Sequence, residues 1–172
     1  MRGEDFTVDT TLKHNAIFLV WTEQSAWQDV PVPATVKTYV DLRKFVKEQA
    51  QKAGIDVAKP FPFLMTGTPA EIKWHINVNR TEGKTITKEL FRKSKQGYVM
   101  KNEPVDIVGF HAESHPGEFI SQYAPAISED SGMQNFIHIH VVSRGSKAAV
   151  HIDDITFGDG MVLRLSKQER TP

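Results

Sequence analysis

Three histidines, His138, His140 and His151, have the residue type and spacing to hold a metal ion. The first two stand in Asn135-Phe136-Ile137-His138-Ile139-His140-Val141-Val142, where apolar residues alternate with the histidines. Side chains alternate along a strand, so His138 and His140 share one face while Ile137, Ile139 and Val141 share the other. The next apolar run, Ala148 to Asp154, carries His151. Between them Gly145-Ser146 suits a type II′ two-residue turn, with glycine at the first central position. Such a turn sets His140 directly opposite His151 and Val141 opposite Val150. Directly opposed residues have Cβ atoms ~4.5–5.5 Å apart and diagonal ones ~7–8 Å, so the three imidazoles converge.

Three neutral imidazoles with an open fourth position make the donor set of a catalytic zinc ion. The same register places Asp153 opposite His138, where a carboxylate can orient a ligand imidazole. H-x-H alone, in a chain with seven histidines, equally describes two exposed polar residues on a strand. His151, at the position the turn selects, favours the metal. A one-residue slip in register would turn it into the core.

The rest of the composition narrows the chemistry. There is no cysteine, which excludes disulfides, thiolate metal sites and cysteine nucleophiles. Twenty-one basic and 21 acidic residues give a formal net charge of zero. Nucleic-acid binders usually need a basic excess to neutralise phosphates, so neither nucleic acid nor an anionic membrane surface is the expected partner. The longest apolar run, Ala16 to Trp21, is too short to span a bilayer, and no signal-peptide h-region follows Met1. A soluble protein is expected, cytoplasmic by default, with a previously removed leader left open. No P-loop, Rossmann fingerprint or G-x-S-x-G elbow is present.

The elements that must carry these residues read as one α+β domain over residues 1–172. At this length folding buries roughly 70% of the extended-chain surface, enough for a self-sufficient core. Lys13 to Trp21 has the pattern of a buried strand. After Pro31 and Pro33, Ala34 to Ala53 shows helical spacing, with Val36, Tyr39, Val40, Leu42, Val46 and Ala50 on one side and Arg43 elsewhere. Thr35 is the expected N-cap and Gly54 the left-handed stop. Strands are expected at Phe63–Thr66, Glu71–Asn79, Val105–Phe110, Gln134–Val142, Ala148–Ile155 and Gly160–Leu165. Lys88 to Lys95 reads as a solvated basic excursion. His111-Ala112-Glu113-Ser114-His115 reads as a loop lining the pocket mouth, since Pro116 disfavours a helix there. His14 is expected to be structural. One main helix and about seven strands argue a mostly antiparallel twisted sheet or barrel.

At its three histidines the sequence resembles the α-acetolactate decarboxylases, whose zinc ligands run H-x-H, ten residues, then H. Here the match is His138-Ile139-His140, ten residues, His151. Val105-Asp106-Ile107-Val108-Gly109-Phe110 is similar to the family's G-T-x-V-G-F strand, and Gly67 to Val78 to the strand pair before its active-site arginine. The Thr35 to Ala53 helix stands where the family has one, and roughly Pro33 to Leu165 can be laid alongside. The resemblance implies Zn²⁺ at His138, His140 and His151, and decarboxylation of 2-acetolactate, or a similar small 2-hydroxy-3-keto acid, to acetoin. A small anionic keto acid is then the partner, and a homodimer is compatible with the reading.

Losing CO₂ from such an acid leaves an enolate, so a cation at the ketone oxygen is the electron sink. A cation such as Arg80 would orient the carboxylate, and Glu113, Glu118 and His75 are the candidate proton donors, among which the sequence does not choose. The departures are specific. The family's L-D-G-E glutamate and its glutamate beyond the third histidine have no counterpart. Its substrate arginine aligns without gaps on His75, and Arg80 reaches an equivalent place only with a local shift. These departures leave open a second reading, a metal-binding domain of the same superfamily that binds a small ligand or partner without catalysis. A cupin-like barrel also begins with H-x-H, but Ser143 and Arg144 stand where it requires glutamate.

Overall fold

The computed structural model describes residues 11, 13, 20–78, 81–115, 135–143, 145 and 148–167. Among these residues eight strands form one sheet: β1 (Trp27–Pro31), β2 (Phe61–Gly67), β3 (Glu71–Asn77), β4 (Lys95–Lys101), β5 (Val105–His111), β6 (Ile137–Ser143), β7 (Ala148–Thr156) and β8 (Val162–Ser166). Two helices interrupt them, α1 (Tyr39–Lys52) and α2 (Lys88–Ser94). The strand order is β1-β8-β2-β5-β6-β7-β3-β4, and every pairing is antiparallel. The α+β class with one main helix is therefore the observed one.

Alternation decides which face of the sheet is core. In β6, Ile137, Ile139 and Val141 are fully buried while Val142 is exposed, and β2 and β7 repeat the pattern. The buried residues join Leu42, Phe45 and Val46 of α1 in one cluster. The Tyr39 hydroxyl donates to the Ile137 carbonyl at 3.1 Å, tying the helix to β6. Gly109 of β5 lies directly across from Phe63 of β2. A Cβ there would come within 2.7 Å of Phe63 Cε1, so glycine is needed to seat the ring.

Several elements differ from expectation. The helix starts at Tyr39, capped by Thr38 rather than Thr35; Thr38 accepts from the Asp41 N–H while Asp41 accepts from the Thr38 N–H. Gly54, at φ +78°, does end it. Arg43 is buried, not on the polar side, because its guanidinium packs on the Tyr39 and Phe136 rings at 4.9 and 5.9 Å. Val40 is exposed instead. The basic stretch is no excursion: Thr87 caps α2, Lys93 pairs with Glu89 at 2.6 Å, and Lys95 begins β4. β1 was unexpected because it ends in proline, which an edge strand tolerates. The strand expected over Lys13 to Trp21 falls mostly outside the described residues, and Val20 and Trp21 are not in a strand.

Candidate metal centre

The face of the sheet turned away from the Ile137 row carries the histidines. Pairing registers set Leu64, Val108, His140, His151 and His75 in one row across β2, β5, β6, β7 and β3. The β6–β7 register is the one a two-residue turn selects, with His140 opposite His151 and Val141 opposite Val150. Gly145 of that turn is described; Ser146 lies outside the described residues. Ring centroids are 4.9 Å apart for His138 and His140, 5.1 Å for His138 and His151, and 5.3 Å for His140 and His151. The Nε2 atoms of His138 and His140 approach to 2.9 Å.

A fourth ring joins them from β3. His75 lies opposite His151, its ring centroid 4.8 Å away, and is only 5% exposed. Its Nδ1 is 2.7 Å from Asp153 Oδ2. His75, His151 and Asp153 offer ligand atoms that all lie within 4.8 Å of one another.

Asp153 corrects an expectation. It does not stand opposite His138 in the ladder, whose β6–β7 pairing ends at His140 and His151. Against β3 the register shifts, Lys73 pairing with Asp154 and Trp74 with Ile152, so Asp153 is the extra residue of a β-bulge. The bulge turns its carboxylate toward His75, and Lys95 Nζ of β4 reaches Asp153 Oδ1 at 3.4 Å.

The electrostatics favour neutral imidazoles. His151 is pushed down to about 3, first by burial and then by His138, His75 and His140, with Asp153 pulling the other way. His140 reaches solvent, yet desolvation among its neighbours, then His138 and His75, bring it down to about 4. Burial works against the Asp153 carboxylate, but the hydrogen bond with His75 and the charges of His75, Lys95 and His151 hold it below its ordinary value. At neutral pH His140 and His151 therefore keep the lone pairs a metal requires. His151 Nδ1 is buried with no hydrogen-bond partner, an orphan that a polar core seldom tolerates. Nitrogen-rich donors of this kind fit zinc and the other borderline divalent ions.

The remaining sequence candidates fall elsewhere. Glu113 pairs with Lys47 of α1 at 2.5 Å, on the helix side of the sheet. Arg80 and Glu118 lie outside the described residues, as does His14. His111 is not at a pocket mouth: it ends β5 opposite Ile137, shares that residue's face and is fully buried. It stacks on Phe61 at 4.7 Å, with the Phe136 ring edge-on at 5.1 Å. Sequence reasoning missed Lys95 and the His75–Asp153 contact. The available signal was parity, since His75 shares the polar side of β3 with exposed Lys73.

Neither a family model nor a curated protein matches the sequence. Solved structures do. A protein of unknown function similar to α-acetolactate decarboxylase from Staphylococcus aureus superposes with a TM-score of 0.59 at 14% identity, covering 86% of this chain and 54% of that one. The α-acetolactate decarboxylase of Bacillus subtilis strain 168 gives 0.55 at 16%, covering 85% and 53%. Acetolactate decarboxylase from B. subtilis subspecies spizizenii gives 0.54 at 15%, covering 85% and 54%. The likeness is one of fold, and the chain spans about half the length of these structures. Among the described residues no helix is long and apolar enough to cross a membrane.

Proposed function

We propose that this chain binds a divalent metal ion, zinc in the first instance, through His138, His140 and His151. We further propose that it releases CO₂ from 2-acetolactate, or a similar small 2-hydroxy-3-keto acid, to give acetoin. The observation that carries the reading is the convergence of these rings on one face of a sheet whose fold is shared with acetolactate decarboxylases. When bound, the metal supplies a Lewis acid for the charge that develops on the ketone oxygen. The chain's own part is to hold and orient. His140 and His151, kept neutral by desolvation and by each other, present lone pairs at neutral pH. Lys95, a half-buried cation 3.4 Å from Asp153 Oδ1, offsets that carboxylate's charge beside the rings. His140 reaches solvent, so water can supply the proton that takes the place of CO₂.

A second reading, metal binding without turnover, is favoured by one feature. In sequence His75 aligns with the substrate arginine of the family that the chain resembles, and it is engaged with Asp153 at 2.7 Å. Acetoin release from acetolactate separates the two. The enzyme reading expects turnover that chelation abolishes and zinc restores, and that His140→Ala reduces to background. Metal binding with no acetoin supports the second reading.

A further inference from the structure

Four imidazoles, not three, meet on this face, and we infer that His75 is itself a metal ligand, its ring set by Asp153. The inference rests on the metal reading above and alters its donor set. His75 is 5% exposed on a strand whose neighbouring residues on the same face, Lys73 and Asn77, are exposed. A buried polar ring is held in place by its hydrogen bonds. Nδ1 has one, Asp153 Oδ2 at 2.7 Å. An ionised carboxylate only accepts, so Nδ1 carries the hydrogen and Nε2 is the ring atom left to bind a metal. That ring lies 4.8 Å from His151, itself one of the three converging histidines.

Asp153 also has an oxygen within ligand range of His75 and His151, yet its chemistry is that of an orienting group. Oδ2 is engaged with His75, and Oδ1 with Lys95 at 3.4 Å, with His151 Nδ1 at 3.9 Å. A carboxylate that fixes a ligand's tautomer and ring plane is a recurrent support of histidine–metal bonds. Asp153 lies two residues beyond His151 in β7, at the bulge against β3. Across from His75 stands Gly97, which adds no side chain between the ring and its partners.

The consequence is a four-nitrogen site. On an ion that prefers tetrahedral coordination, a chelating substrate has to add as a further ligand or displace a nitrogen; on one that prefers six ligands it finds two positions open. His75 thus bears directly on which metal supports turnover.

The test is a count of bonded nitrogens. Protein carrying ¹⁵N-labelled histidine is loaded with ¹¹³Cd²⁺ alone, and one-bond nitrogen–cadmium couplings are resolved. Four of the seven histidines should couple, with His75 bonded through Nε2. His75→Phe, which keeps the ring volume, should reduce the count to three and weaken cadmium binding at least tenfold. Asp153→Asn should weaken it by about 10–100-fold, as loss of an orienting carboxylate does. Three couplings in the wild type, with cadmium affinity unchanged in His75→Phe, would overturn the inference and leave the three-histidine reading standing. No cadmium uptake by the wild type would overturn both. Should His75→Phe fail to fold, the wild-type count decides alone.

Discussion

His75 and Asp153 stand 78 residues apart in the chain and meet at 2.7 Å, across the shifted register between β3 and β7. The contact ties β7 and β3 to β4, because Lys95 grips the other carboxylate oxygen at 3.4 Å. It also explains how a ring only 5% exposed can sit on the more open face. Fixed rings favour tight metal binding, since less conformational freedom is lost when the ion arrives.

Packing on the opposite face makes a separate prediction. Gly109→Ala would drive a methyl group into the Phe63 ring, itself fully buried. Overpacking of this kind costs roughly 1–3 kcal/mol. Urea unfolding should report that loss, and adding Phe63→Leu to the same chain should recover part of it. An alanine variant as stable as the wild type would show that the ring can yield.

His111 makes a prediction about pH. Burial, partly offset by Glu113, pushes it down to about 4. The unfolded chain binds its proton near the ordinary value of about 6.5, so between those two values the unfolded state holds more protons and stability falls as pH falls. From about pH 7.5 to about pH 5 this single group should remove about 2 kcal/mol. His140 and His151, also lowered, act in the same direction in the metal-free protein. His111→Phe isolates the share of one ring: it keeps the stack on Phe61 and should flatten the pH dependence by that amount. An unfolding curve equally steep in wild type and variant would rule the assignment out.

The start of α1 depends on a reciprocal cap between Thr38 and Asp41. Thr38→Ala removes the side-chain acceptor for the Asp41 N–H and should cost about 1 kcal/mol. Thr35→Ala, altering the residue the sequence pattern favours, should change little. Thermal melts of the two variants distinguish these outcomes.

The hairpin was legible because its signals are local. Alternation placed His138 and His140 on one face, and turn chemistry set His151 opposite His140, which is the register found. The parts that were not legible are non-local. No period in residues 71–77 reveals that β3 pairs with β7, so parity can put His75 on the polar side of β3 but not beside His151. The bulge does leave a sign, since Val150, Ile152 and Ile155 break the alternation at Asp153-Asp154, but the sequence does not say which strand it shifts against. Arg43 misleads for another reason: residue type argues for the surface, whereas two aromatic rings draw its guanidinium inside. β1 and α2 were hidden by composition, one by its terminal proline and the other by its charge.

The imidazole face is proposed to hold a metal ion. The most direct test is titration of the purified, chelator-treated protein with Zn²⁺, followed by calorimetry, beside His140→Ala and His151→Ala. One equivalent should bind tightly to the wild type, raise its melting temperature, and bind at least tenfold more weakly to each variant. Binding that is absent, or that survives both substitutions unchanged, would contradict the account.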